Sequence, residues 1–358
     1  MRLAMIITKV DSADSVYGSN IAWIRSLAQR VEHLTVIGMS VGDYQLPNNV
    51  SVFSMAKEKG ASKLIRFLNL QRVMLPLLLL RKVDGVFIHQ GQIWGLLIFY
   101  AKVRRIPVIL FKAHGSMPPT VKHYLPFFTA ITTTTDDTFP IDTDKKIAVG
   151  QGIDTGKFVK LSSPAEPRLI VSAGRISKVK GYEVLIEALG ILNKGNNDPI
   201  YLKIYGEAYS NNDLSLLVKL KRKISDLNLA HTVSLEGVIA NDRMPEMLNS
   251  AALYVNASTG PSALDKSVLE AMACELPVIS CNPKFRPLFK DYDSLLYCPP
   301  NEAHLLAEKI ERFFTLSVTE RNQIGNDLRS VVVADHDVNR LMDRVIEIFK
   351  IFQLRKAR

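Results

Sequence analysis

Cysteine is almost absent: Cys274, Cys281 and Cys298 are the only three in 358 residues. Their number is odd and their spacing matches no metal-ligand pattern. That excludes a disulfide framework and a cysteine-built metal centre, and fits packed thiols in a reducing compartment. Long hydrophobic runs are missing too. The oiliest, VMLPLLLL at 73–80, is bracketed by Arg72 and Arg81 and falls far short of the ~20 residues of a membrane span. A longer apolar segment, 86–101, is interrupted by His89, Gln90 and Gln92. The opening MRLAMIITK is apolar for too few residues to be a signal h-region and reads as a first strand. Low complexity and short repeats are also absent. The expected location is cytoplasmic.

An apolar share of 47% and a charged share of 22% describe a globular protein, neither disordered nor membrane-spanning. At this length two domains are expected. The formal charge of +10 is uneven: residues 1–160 carry 20 Lys and Arg against 11 Asp and Glu. An excess confined to one half suggests that this half faces an anionic surface. No basic stripe interleaved with stacking aromatics is present, so nucleic acid is not expected. A phospholipid surface, the inner face of the plasma membrane, fits better. A merely soluble basic domain is the alternative.

Strand-like runs and helix-length amphipathic segments alternate throughout, the pattern of a parallel sheet wrapped on both faces. RLAMII, LTVIG, SVFSM, GVFIH and IPVILF are strands of a first half. A basic helix over 62–82 is expected to break near Pro76. After a polar joint, LSSPAEPR, the alternation restarts with LIVSAG, IYLKIYG, TVSLEG and ALYVNAS. The expected domains are 1–160 and 165–335, with a terminal helix over 336–358 crossing back onto the first. The fold class is α/β: two Rossmann-like, doubly wound halves facing across a cleft, with ligands at the carboxyl ends of the strands.

Several residues suit anion chemistry. SAGRISKVKG places Gly174 and Arg175 after a strand and Lys180 before a helix. A small residue there admits a ligand to the backbone, and two cations five residues apart suit a diphosphate. Solvated surface cations are the plainer alternative. In DKSVLEAMACELPVIS, Ser267 and Glu270 have capping-box spacing. Alternatively, Glu270 accepts hydrogen bonds from a ribose diol while phosphates lie at the helix start. Asp265 reads as a cap. The triplets Asp142-Thr-Asp144 and Asp291-Tyr-Asp293 sit in polar loops and read as turns, so no metal is expected.

The ordered set VSAGRISKVKGYEVLIEAL, IYGEA, VSLEGVI and SVLEAMACELPVIS resembles the C-terminal domain of the retaining, nucleotide-sugar-dependent glycosyltransferases of family 4. These are of the glycosyl transferases group 1 type and have the GT-B fold. KAHGS at 112–116 and VGQGIDTGKF resemble motifs of that family's first domain and its exit. The resemblance implies a donor site. Arg175 and Lys180 match the pair that grips the diphosphate, and Glu270 matches the second acid of a Glu-x7-Glu motif, which binds the ribose. Gly18 and Ser19, in VYGSN, match a loop closing over the donor, although a plain helix start explains them equally. His114 matches a His beside the anomeric centre. Ser262 stands where the motif's first Glu, which touches the donor sugar, is usual, and the loop between the two positions is Ala263-Leu264-Asp265-Lys266. The alternatives there are Asp265 or Glu207 as a stand-in for the missing acid, or Lys266 as a phosphate contact. Glu275 stands where a Gly is usual.

The implied activity is a retaining, metal-independent hexosyl transfer from a GDP- or UDP-linked sugar, with no cofactor. The acceptor is a hydroxyl of a glycan or lipid-linked molecule, in polysaccharide or glycolipid synthesis. A non-catalytic subunit of the same fold, or a sugar-nucleotide epimerase, is the alternative.

Overall fold

Runs of mostly apolar residues between amphipathic segments form strands covered on both faces, and the chain builds two such sheets. The computed structural model describes residues 1–89, 95–113, 119–260 and 263–357. It divides into two units, Met1–Asp154 with Asp335–Arg358, and Thr155–Ala334.

The first unit holds seven strands: β1 (Arg2–Val10), β2 (His33–Val41), β3 (Val50–Ser54), β4 (Gly85–His89), β5 (Val108–Lys112), β6 (Ala130–Thr133) and β7 (Lys146–Ala148). Their order is β3-β2-β1-β4-β5-β6-β7, and every pairing is parallel. Alternate residues of β1 serve opposite faces, as a strand's period of two requires. Leu3, Met5 and Ile7 pack with Trp23 and Leu27 of the helix Asn20–Ala28 and with Leu341, Val345 and Phe349 of the helix Val338–Ala357. Ala4 and Ile6 pack on the other side with Leu70, Met74 and Leu78 of the helix Lys63–Leu79. A side chain at Gly85 would come within 2.4 Å of the Phe349 ring, so that glycine makes room for the last helix.

The expected break near Pro76 does not occur. The helix starts at the Ser62 cap, whose hydroxyl accepts from the Ile65 N–H, and runs through Pro76 to Leu79. Proline deletes one donor near the helix end, and Pro76 and Arg72 both lie on the exposed side, where water can satisfy the freed carbonyl.

The second unit holds β8 (Glu166–Ala173), β9 (Tyr201–Tyr205), β10 (Val233–Gly237), β11 (Ala251–Asn256) and β12 (Val278–Ser280). Their order is β10-β9-β8-β11-β12, again all parallel. In each sheet the order reverses beside the first strand, between β1 and β4 and between β8 and β11. The crevice outside the carboxyl ends at such a reversal is where ligands of these sheets bind.

Candidate functional site

In the second unit that crevice begins at Gly174. Its N–H donates to the Tyr205 carbonyl at 2.9 Å, and its carbonyl accepts from the Tyr182 hydroxyl at 2.9 Å. A Cβ here would meet Lys180 Cε at 3.2 Å and Tyr182 Oη at 3.3 Å, so no larger residue fits without displacing them. Arg175 follows, exposed and without an ion pair to any described residue. The loop then turns through a short 3-10 segment, Lys178–Lys180, to Gly181. Gly181 has φ +63, and a Cβ would fall 1.9 Å from the Ala257 carbonyl oxygen. The Thr259 N–H donates to the Val179 carbonyl at 2.9 Å. The loop after β8 is thereby clamped to the chain leaving β11.

Lys180 reaches across this clamp to pair with Asp265. The other oxygen of Asp265 accepts from Asn256 Nδ2 at 2.9 Å and Asn282 Nδ2 at 3.1 Å. Burial pushes the Asp265 carboxyl up, but Lys180 and the two amides outweigh it and hold the group below the usual carboxylate range. Asp265 occupies the N-cap position of the helix Lys266–Ala273, yet its side chain makes no cap bond. The expectation of a capping role is corrected: the ion pair takes the carboxylate instead.

Glu270 lies in the second turn of this helix and is 4% exposed. The capping box does not form, because the helix starts two residues too early for Ser267 to cap it. The Ser267 hydroxyl instead donates to the Ala173 carbonyl at 2.9 Å and receives the Tyr254 hydroxyl at 2.8 Å, which ties the helix to the end of β8. Glu270 Oε1 is buried with no hydrogen-bond partner; Lys266 Nζ stands 3.7 Å away. Burial raises the Glu270 carboxyl above its usual range, opposed by Lys266 and Lys157. A buried carboxylate oxygen left without a donor is costly, and such groups call for an explanation. A ligand hydroxyl would supply the missing donor.

The structure therefore gathers Gly174, Arg175, Lys180, Asp265, Lys266 and Glu270 at the carboxyl ends of β8 and β11. Gly18 and Ser19 belong to the first unit, between β1 and the helix Asn20–Ala28. Their turn is held by Asp14, which accepts from the N–H groups of Val16 at 2.9 Å and Tyr17 at 2.6 Å. Ser19 stands at the cap position, but its hydroxyl makes no cap bond. His114 and Ser262 lie outside the described residues. Sequence reasoning missed Asn256, Asn282 and Tyr254, which orient Asp265 and Ser267. It also missed Ser258, whose hydroxyl is buried at the end of β11 without a partner. The only signal for them was their place at strand ends. Among the described residues no group of His, Cys, Asp and Glu is arranged to hold a metal ion.

Comparison with known proteins bears on this arrangement. Residues 155–331 match the family model "Glycosyl transferases group 1", nearly the whole second unit. The mannosylfructose-phosphate synthase of Agrobacterium fabrum is 26% identical over 126 residues, 35% of this chain and 28% of that protein. WcaL of Escherichia coli, named for colanic acid biosynthesis glycosyltransferase activity, is 27% identical over 271 residues, 67% of this chain and 64% of that protein. The chain thus spans less than two thirds of either curated relative. The crystal structure of Anabaena Alr3699/HepE in complex with UDP and glucose superimposes with a TM-score of 0.75 at 16% identity, covering 98% of this chain and 99% of that one. With two parallel α/β sheets, that likeness gives the GT-B fold. The second unit, over residues 155–331, is thus a glycosyl transferases group 1 domain.

Proposed function

We propose that the protein moves a sugar, a hexose or a relative of one, from a nucleoside diphosphate sugar to a hydroxyl of a glycan or lipid-linked acceptor. The anomeric configuration is retained and no metal takes part. The observation that carries this reading is the orphan Oε1 of Glu270, on a helix whose first turn Ser267 ties to Ala173, two residues before Arg175. A ribose hydroxyl donating to Glu270 would relieve the unpaired acceptor. The adjoining diphosphate would lie toward the free N–H groups of the helix start. As the glycosidic bond breaks, charge grows on the diphosphate, and fixed positive groups aimed there lower the barrier. Arg175 carries most of that duty, because Lys180 is already paired with Asp265. No described side chain at the site stands as a covalent nucleophile, so departure and attack on one face are proposed. The nucleotides named with the solved neighbours, UDP and UDP-glucose, favour a UDP donor, with GDP as the alternative; the name of the Escherichia coli relative favours a polysaccharide product.

No helix among the described residues is long and apolar enough to cross a membrane. Leu64, Ile65 and Leu68 on the helix Lys63–Leu79 are 67%, 49% and 55% exposed, in a stretch that also holds Lys63 and Arg66. We place the protein in the cytoplasm, with this face on the anionic inner surface of the plasma membrane.

The test is a panel of UDP- and GDP-sugars, with binding and turnover both measured. One or more should bind, and Arg175→Ala should weaken that binding about 100-fold, as expected for a charged hydrogen-bonding partner. Unchanged affinity in the variant would remove the site from this crevice. Conversion of the sugar without transfer would mean an epimerase, and binding without turnover a non-catalytic subunit.

A further inference from the structure

The amino-terminal ends of β4, β5, β6 and β7 open on a groove of about 1370 Å³. It lies at the pole of the first sheet opposite the one where ligands of such sheets bind, and it exceeds the ~300–1,000 Å³ of an ordinary small-molecule pocket. Its lining is apolar over Ile106, Phe127, Phe128 and Ile147, and over Ile351 and Phe352 of the terminal helix. Four cations, Arg81, Lys102, Arg105 and Lys145, share it with two acids, Asp84 and Asp144. None of the four cations pairs with an acid among the described residues. One of the acids, Asp84, is engaged by the Arg2 N–H at 2.7 Å. Burial, and then the nearby Lys102, hold the Lys145 ammonium below its usual range. Asp144 opposes that shift, and the Lys145 Nζ donates to the carbonyls of Pro126 at 3.0 Å and Leu125 at 3.4 Å.

The backbone points the same way. Arg81 and Arg105 are left-handed, with φ +50 and +54. Each ends the helix before a strand that reaches the groove. Past each of them the chain bonds back over a full turn, from the Lys82 N–H to the Leu77 carbonyl and from the Ile106 N–H to the Ala101 carbonyl, both at 2.8 Å. This is the helix-ending turn whose left-handed position glycine normally fills, because a Cβ there is strained. Attraction to the helix dipole does not require arginine at this position, since Lys82 and Arg104 stand next door and would supply that charge without strain. Strain kept at two equivalent positions around one groove marks a use for those side chains.

We propose that this groove is a second ligand site, which takes an anionic phospholipid. The phosphate sits among Arg81, Lys102, Arg105 and Lys145, and an acyl chain lies along Ile106, Phe127 and Phe352. Both halves of the ligand are needed: the cations recognise the headgroup, and the apolar lining rejects a headgroup without its chain. The inference stands apart from the sugar-transfer reading and from the exposed face of the helix Lys63–Leu79.

The test titrates the full chain with dihexanoyl phosphatidylglycerol below its micelle concentration, with glycerol phosphate as the headgroup-only arm. The informative variant is Arg81→Gly/Arg105→Gly, because glycine relieves both strained turns and leaves a folded protein whose Tm is equal or higher. The lipid should bind the wild type, glycerol phosphate at least tenfold more weakly, and the double variant should lose about 30-fold in lipid affinity, the effect of two headgroup charges. A Leu64→Ser/Leu68→Ser variant should bind the lipid as wild type does, and saturating UDP should not compete. The proposal is overturned by a wild type that does not bind or a double variant that binds as wild type. It is also overturned if glycerol phosphate binds as tightly as the lipid, if the leucine variant loses binding, or if UDP competes.

Discussion

Glu270 is where stability and binding oppose each other at a single side chain. Its carboxyl is raised above the ordinary range by burial, against the pull of Lys266 and Lys157. An acid whose folded pKa is raised binds protons more readily folded than unfolded, so its contribution is greatest below the unfolded value, about 4.3. That contribution is lost as pH rises through the folded value. The unliganded protein therefore carries a buried, half-satisfied carboxyl whose ionisation costs stability. Glu270→Gln should raise the stability of the unliganded protein at pH 7 by about 1 kcal/mol and flatten the decline above the carboxylate range, while weakening nucleotide binding about tenfold. Urea melts across pH, set beside a nucleotide titration, measure both. A variant that loses stability and keeps its affinity would make Glu270 a structural residue. The sequence showed this carboxylate and its helix, but two readings of it stayed open. Ser267 sits three residues ahead with capping-box spacing, and only the contacts to Ala173 and Tyr254 reveal where its hydroxyl goes. Those partners lie 94 and 13 residues away, beyond anything local spacing can report.

Among elements, the helix Lys266–Ala273 ends in a feature that the family resemblance flagged without explaining. Glu275 stands where a Gly is usual, and its φ is +59. The Leu276 N–H bonds back to the Ala271 carbonyl at 3.1 Å and the Glu275 N–H to Met272 at 3.1 Å, the turn that favours glycine. Glu275→Gly should stabilise the protein by about 0.5–1 kcal/mol, the left-handed cost less the extra freedom of glycine when unfolded. The lost contact with Arg329, 3.8 Å away, subtracts little from a partly exposed pair. Arg329 keeps its seat through the carbonyls of Phe158 at 2.8 Å and Thr155 at 3.2 Å. A Tm that falls would show that the Arg329 pair outweighs the backbone strain. Most strands were legible because a strand covered on both faces reads as a continuous apolar run. β6 was not, since Ala130–Thr133 is half threonine. Thr132 and Thr133 are fully buried, their hydroxyls satisfied by the carbonyls of Leu110 at 3.3 Å and Thr135 at 3.0 Å. Internal hydrogen bonds let a polar sequence behave as an interior one.

On the scale of the whole molecule, the chain leaves the first unit at Asp154 and rejoins it at Asp335, and the join is a clasp built from the VGQGIDTGKF motif. Gly150 has φ +89, and a Cβ would lie 2.1 Å from the Asp335 carbonyl oxygen. Gly152 has φ +73 under the Trp23 ring, whose Nε1 donates to the Gly152 carbonyl at 3.0 Å. His336 closes the clasp: its Nδ1 accepts from the Gln151 N–H at 3.3 Å, and its carbonyl from the Ile153 N–H at 2.7 Å. The motif was visible in the sequence, but its partners lie 185 residues further on. An imidazole accepting at Nδ1 while 5% exposed must be neutral there. Burial lowers its pKa to about 4, Arg344 adds to the effect and Asp335 opposes it. A histidine whose folded pKa is depressed takes up protons more readily when unfolded, so stability falls as pH drops through the unfolded value, about 6.5, toward 4. The loss at the acid end is about 3 kcal/mol. Urea melts of the wild type between pH 7 and pH 4 should show that decline. His336→Gln, which cannot titrate, should begin less stable at pH 7 and run much flatter, so that the two curves converge in acid. Parallel curves over that range would mean that His336 is not what holds the clasp shut.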